Sequence, residues 1–170
     1  MAGDSKRIQK FAVLYGPPGS GKSTVLNILE LLFQGYTTTF DAGALGSKSD
    51  QFATSTLGKS SLVAIDQDGD LSRIETNGLL NSVVAHETIL INEKGVKRYP
   101  KRINALLFIG TNKPVKITDS KSGIIRRLID ISPTGQTVGA DEYQTLMTQI
   151  RDELGKIANH CLGVYRSLGK

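Results

Sequence analysis

Phe11-Ala12-Val13-Leu14-Tyr15-Gly16-Pro17-Pro18-Gly19-Ser20-Gly21-Lys22-Ser23-Thr24 is the stretch on which the fold turns. An apolar run of strand length leads into the pattern G-x-x-x-x-G-K-[ST], met at each fixed position from Gly16 to Ser23. The pattern has a direct physical cause. Glycines let backbone N–H groups turn inward and close on phosphate oxygens, the lysine reaches the β- and γ-phosphates, and the following hydroxyl can ligate Mg²⁺. A helix is expected from Lys22 to about Phe33, because Val25, Leu26, Leu29, Leu32 and Phe33 recur at helical spacing. Its amino end favours an anion. Gly16, Pro17, Pro18, Gly19, Ser20, Gly21, Lys22, Ser23 and Thr24 are therefore the expected phosphate-binding set for a nucleoside triphosphate with Mg²⁺, and Ser23 is an expected metal ligand.

The chain has 170 residues, enough for one domain with a real core. A tail over residues 1–10 and a single domain over 11–170 are expected, with a core to about 132 and a helical part from about 140 to 168. Its single cysteine, Cys161, allows no internal disulfide and fits a reducing compartment. No apolar stretch approaches membrane-spanning length, and Met1-Ala2-Gly3-Asp4-Ser5-Lys6-Arg7 lacks the apolar core of a signal peptide. A soluble, cytoplasmic protein is expected. The net charge of +5 is unevenly placed: Lys94 to Arg127 carries ten basic residues against one acid, Asp119. Such asymmetry fits a polyanion-facing surface or a merely solvated face.

Further along, Ser61-Leu62-Val63-Ala64-Ile65 reads as a strand ending in Asp66, and a short strand is possible at Thr37–Phe40. Asn77 to Ala85 reads as a short helix. Thr88-Ile89-Leu90-Ile91-Asn92 and Val96-Lys97-Arg98-Tyr99 flank Glu93-Lys94-Gly95, a hairpin signal with glycine at the tip. Ala105-Leu106-Leu107-Phe108-Ile109 is a continuous apolar run, as in a strand buried on both faces. Leu128–Ile131 is a last strand, and Tyr143–Leu168 reads as helical from Leu146, Ile150, Leu154, Ile157, Cys161, Val164 and Leu168. The expected class is α/β, a mostly parallel sheet flanked by helices, with nucleotide at the carboxyl ends of the strands.

Three more elements could carry chemistry. Asp66, at a strand end, suits the aspartate that holds Mg²⁺, with Asp68 and Asp70 nearby, although an ordinary acidic turn also reads Asp-Gln-Asp-Gly-Asp. No glutamate falls at the spacing of an EF-hand, so calcium is discounted. Asn112 follows another strand and could orient an attacking water or touch the γ-phosphate, or simply form the turn before Lys113-Pro114. Arg126-Arg127 could reach a neighbouring subunit's γ-phosphate or be a surface pair.

The order of these elements resembles the superfamily 3 helicases, a branch of the AAA+ ATPases found in viruses, phages and plasmids. It is most similar to the C-terminal helicase domain of phage and plasmid primase-helicases. The resemblance is carried by the phosphate loop, Leu62-Val63-Ala64-Ile65-Asp66, the basic hairpin, Phe108-Ile109-Gly110-Thr111-Asn112-Lys113-Pro114, and Gly123-Ile124-Ile125-Arg126-Arg127-Leu128. It covers roughly residues 11–168, and the tail, Glu153-Leu154-Gly155-Lys156-Ile157 then Cys161-Leu162-Gly163, is similar as well. It implies a P-loop AAA+ core with a basic β-hairpin and a C-terminal helical segment. Lys22 and Ser23 would be the Walker A lysine and Mg²⁺ ligand, Asp66 the Walker B acid, Asn112 the sensor asparagine, and Arg127, with Arg126 second, the arginine finger. Lys94, Lys97 and Arg98, with Lys101 and Arg102, would meet nucleic-acid phosphates in the channel of a ring, as the basic charge independently suggests. Tyr99 would stack on a base or pack within the hairpin.

In function, the resemblance implies a ring-forming, ATP-driven replicative DNA helicase, a hexamer on single-stranded DNA, working with a primase domain or protein and, if phage-encoded, in the host cytoplasm. One departure matters. Many relatives carry a second acid directly after the Walker B aspartate as catalytic base, and here that position is Gln67. Asp68 or another acid takes the role, or hydrolysis is slow, or Gln67 is an engineered block. No primase domain or long N-terminal collar lies within these residues, so a fragment or a compact protein that assembles on DNA is expected. Two rivals stand. A loader or switch of the AAA+ type would bind ATP without unwinding. A small-molecule kinase would need an arginine-bearing lid and would leave the basic hairpin unexplained.

Overall fold

Phe11–Tyr15 (β1) buries Phe11, Ala12, Val13 and Leu14 in succession, which is the mark of a strand covered on both faces. In this computed structural model residues 7–115 and 123–168 are described. Residues 1–6 of the expected tail, and Lys116, Asp119 and Lys121 of the basic stretch, lie outside them. The remaining strands are Thr37–Thr39 (β2), Val63–Asp66 (β3), Thr88–Ile91 (β4), Tyr99–Arg102 (β5), Leu106–Thr111 (β6) and Leu128–Ile131 (β7). The helices are Lys22–Leu32 (α1), Ala42–Leu45 (α2), Gly78–Val84 (α3), Ala140–Asp152 (α4) and Leu154–Ser167 (α5).

The main sheet has five strands in the order β2-β3-β6-β1-β7, and each pair in it is parallel. The side-chain alternation of a strand sorts its residues between two cores. Phe11, Val13, Ala64, Leu107 and Ile109 face one, where α3 adds Leu80, Val83 and Val84. Leu14, Val63 and Ile65 face the other, where Leu26 of α1 is buried and Leu29 and Phe33 pack alongside. The expected α/β class, a parallel sheet between helices, is present.

Two local expectations change. The hairpin is real, but its second strand is Tyr99–Arg102 rather than Val96–Tyr99, with Ile91 opposite Tyr99 and Thr88 opposite Arg102. The connection is therefore a loop over residues 92–98, not a tight turn at Glu93-Lys94-Gly95. The reason is that Tyr99 Oη donates to Glu93 Oε1 at 2.6 Å and closes the loop from within. The hairpin rests on a 3₁₀ turn, Ser55–Gly58: just before it, Thr54 Oγ1 donates to Leu90 O at 3.1 Å and accepts from Asn92 N at 3.0 Å. The C-terminal helix is two helices, broken at Glu153, which leaves helical geometry at φ −104° and ψ 8°. Met147 is buried on α4, but no residue of α5 is. The periodic apolar residues Leu146, Cys161, Val164 and Leu168 stay exposed.

Candidate nucleotide and nucleic-acid sites

The turn after β1 is anchored at its entry, where Gly16 N donates to Thr111 O at the end of β6, 3.2 Å. Gly19 and Gly21 have φ of +76° and +86°, and a Cβ at either would meet no atom within 4 Å. Glycine is needed there for backbone conformation, not for room. Lys22, 7% exposed, folds back so that Nζ donates to Gly16 O and Pro17 O at 2.8 Å each and to Ser20 Oγ at 3.4 Å. Among the described residues no carboxylate pairs with it. The loop thus holds a buried ammonium balanced only by neutral acceptors. That arrangement suits an incoming phosphate, since a buried charge is costly without a counter-charge. Ser23 is exposed on the first turn of α1, and its hydroxyl is open to a ligand.

Asp66 ends β3. Its Oδ2 accepts from Ala42 N at 2.8 Å, at the start of α2, and its Oδ1 from Asp68 N at 3.2 Å. Burial pushes the carboxyl above its ordinary value, the two N–H donors pull it back, and the carboxylates of Asp41 and Asp68 push it up again. The chain then doubles back onto β6, where Gly69 N donates to Gly110 O at 2.8 Å. A Cβ on Gly69 would lie 2.5 Å from Ile109 Cγ2, and one on Gly110 would lie 2.8 Å from Gln67 O. These two glycines let the acidic turn lie directly on the end of β6. Sequence reasoning passed over both. The only signals were a glycine between two aspartates and one inside a strand, which mark close backbone approach.

Around this turn, Gln67 Nε2 donates to Asn27 Oδ1 on α1 at 3.1 Å, while its buried Oε1 has no partner. Asp68 is exposed. Asp70 takes an ion pair from Lys113 at 2.6 Å and a backbone hydrogen bond from Ser72, which hold its carboxyl well below the usual range. The turns after β3 and β6 are thereby joined. Asn112, between Thr111 and Lys113, is exposed.

Strand register settles which residues share an end of the sheet. Tyr15 is level with Thr111, Leu14 with Gly110, and Asp66 with Ile109. The phosphate loop, Asp66, Asp68 and Asn112 therefore gather at the carboxyl edge, where ligands bind in open α/β sheets. Arg126 and Arg127 do not join them. They precede Leu128, which pairs with Phe11 at the amino end of β1, about 13 Å from Tyr15 at a rise of about 3.3 Å per residue. Arg127 is half-buried, its Nη1 donating to Gln9 Oε1 at 2.8 Å, while its Nε is buried without a partner. Arg126 is exposed, and its carbonyl accepts from Lys10 Nζ.

The loop of the hairpin presents Lys94, Lys97 and Arg98 to solvent. Gly95, at φ +77°, turns the tip, and Val96 N donates to Glu93 O at 3.2 Å. Tyr99 is packed in the hairpin on Glu93, and the hydrogen bond its hydroxyl donates to that carboxylate raises the phenol's pKa. Lys101 is drawn inward, its Nζ donating to Gly58 O at 2.6 Å and Ser60 Oγ at 3.3 Å, whereas Arg102 is exposed.

A protein-family profile described as "Family of unknown function (DUF5906)" matches residues 14–127. No curated protein matches the chain. Among solved structures, the A form apo structure of the NrS-1 C terminal region superposes with a TM-score of 0.63 at 20% identity, over 87% of this chain and 36% of that one. A further A form apo structure of that region (305-718) gives 0.58 at 22% identity, over 85% and 34%. JCV Helicase bound to a small molecule gives 0.45 at 17% identity, over 74% and 37%, too slight a likeness to argue from. The likeness to the NrS-1 region is one of fold, and this chain spans about a third of that region's length, 36%.

Proposed function

This chain belongs to the DUF5906 family, and for it we propose an ATP-driven motor of the superfamily 3 helicase type, working on single-stranded DNA. The observation that carries the reading is the convergence of the phosphate loop, Asp66 and Asn112 on one edge of a parallel sheet. Residues 11–170 act as one AAA+ domain in this reading. Lys22 exchanges the carbonyls of Gly16 and Pro17 for the β- and γ-phosphates, and the N–H groups of residues 16–24 cradle them. Mg²⁺, held by Ser23 and Asp66, would neutralise charge on the phosphoryl oxygens. Asn112 orients the attacking water. Asp68, exposed and acidic, takes the proton. Gln67 cannot, because a carboxamide is no base at neutral pH and its amide is engaged by Asn27.

The arginines stand at the opposite edge from their own phosphate loop, which favours use in trans: Arg127, with Arg126 second, would serve the next subunit of a closed ring, a hexamer. Hydrolysis would move the loop bearing Lys94, Lys97 and Arg98 along the strand, beside a primase domain or protein, in the cytoplasm. The engagement of Gln67 with Asn27 also favours the loader reading, in which turnover is slow and no duplex is opened. Strand displacement on a forked duplex separates the two. The motor unwinds with ATP, and Arg127→Ala abolishes unwinding while nucleotide still binds. Tight ATP binding with no unwinding at any protein concentration would leave the loader.

A further inference from the structure

A cavity of about 330 Å³ opens at the amino edge of the sheet, the end away from the phosphate loop. Its position follows from topology: Tyr36 lies just before β2, Ser61 just ahead of β3, and Arg102 closes β5 on the way to β6. Lys59, Lys101 and Arg102 line it, and among the described residues no acidic one does. Lys101 is held by neutral acceptors, Gly58 O at 2.6 Å and Ser60 Oγ at 3.3 Å. Lys59 and Arg102 are exposed and enter no ion pair among the described residues. Three cations around one small cavity raise the local potential and draw an anion. Ser60 and Ser61 add hydroxyl groups, and Tyr36 stands at the wall, 60% exposed.

Cations and hydroxyl groups suit a phosphate, and an exposed ring suits a base, which stacks on aromatic faces without regard to sequence. We infer that this cavity is a second nucleotide-unit site, taking a phosphate on Lys59, Lys101 and Arg102 with its base against Tyr36. A single strand is the source favoured by geometry. Lys59 also borders a second groove of about 510 Å³ lined as well by Lys94 and Glu93 of the hairpin loop, with Glu93 taken up by Tyr99 Oη. Basic groups therefore continue from the tip of the hairpin to its foot. The choice of a single strand as the source rests on nucleic-acid binding by the hairpin loop, and nothing in the inference rests on hydrolysis.

The test is binding of a labelled oligo(dT) by fluorescence anisotropy across a salt series, without ATP, so that a failed motor reading leaves it intact. Each neutralised phosphate on a single strand contributes about 0.7 to the slope of log K against log salt, so Lys59→Ala with Arg102→Ala, which empties a site for one phosphate, should lower it by about 0.7. Tyr36→Leu should weaken binding about tenfold with the slope unchanged. Thermal melting checks that each variant is folded. Pocket variants with the wild-type slope and affinity, while Lys94→Ala with Lys97→Ala loses binding, would overturn the site. If the wild type binds no oligonucleotide, AMP and inorganic phosphate are titrated by amide NMR. AMP shifts at Tyr36 and Lys59 would assign a free nucleotide as the source, and no shifts, or shifts with phosphate alone, would overturn the inference.

Discussion

Placing an alanine at Gly69 probes the contact that sets Asp66 against β6. The added methyl would lie 2.5 Å from Ile109 Cγ2 and 2.8 Å from Asp66 Oδ2. Carbon atoms pack at about 3.5–4.0 Å, so the overlap with Ile109 is roughly 1 Å or more. Ile109 is fully buried in the middle of the sheet and cannot swing aside. Asp66 is held by Ala42 N and Asp68 N. The turn must lift, and with it goes the bond from Gly69 N to Gly110 O. Overpacking of this kind costs about 1–3 kcal/mol and a lost hydrogen bond about 1, so Gly69→Ala should destabilise by about 2–4 kcal/mol. Urea unfolding followed by circular dichroism measures it, with an unchanged slope in denaturant as evidence that only the native state was altered. Because Asp66 is displaced as well, magnesium-dependent nucleotide binding should weaken in the same variant. A Gly69→Ala protein within about 0.5 kcal/mol of wild type, the scatter of an ordinary surface change, would refute the close packing of this turn.

Gly163 makes the opposite case, since it sits inside α5 with open space at its Cβ position. Gly163→Ala should stabilise by about 0.5–1 kcal/mol in the same urea experiment, through helix propensity. Gly21→Ala meets no atom, but its φ of +86° penalises a side chain by about 1–2 kcal/mol, so calorimetry should find weaker nucleotide binding together with a lower melting temperature. Asp70 has its folded pKa lowered by Lys113 and Ser72, so its contribution is present above the ordinary value of 3.8 and is lost as pH falls below it. The melting-temperature gap between wild type and Asp70→Asn should therefore be widest near neutrality and narrow below about pH 4, and a gap that widens on acidification would contradict the ion pair.

The strand, glycine turn and helix around Lys22 were legible because they are local: β1, the glycines, Lys22 and α1 are consecutive. The buried strands were legible for the same reason, from runs such as Leu106–Ile109. What failed needed a side-chain partner that no motif names. The hairpin's second strand was displaced to Tyr99–Arg102 because Tyr99 bonds Glu93 across the loop, and neither residue signals that pairing. Lys101 reads as a surface cation until Gly58 and Ser60 are seen to hold it. Gln67 reads as a missing acid, and only the fold brings Asn27 to it. The periodicity of α5 predicts a helix correctly, yet periodicity alone does not say what an apolar stripe faces, and here Val164 and Leu168 face solvent. The separation of Arg126 and Arg127 from their own phosphate loop follows from β7 lying parallel to β1, a fact of topology that no motif carries.

The most direct measurement is ATP turnover by the purified chain, with and without single-stranded DNA, beside a Lys22→Ala control. Turnover raised severalfold by DNA and lost in the control is the predicted result. It would also show that turnover does not need an acid at position 67, where Gln67 stands. ATP bound at the loop but not hydrolysed, with DNA present or absent, would contradict the motor.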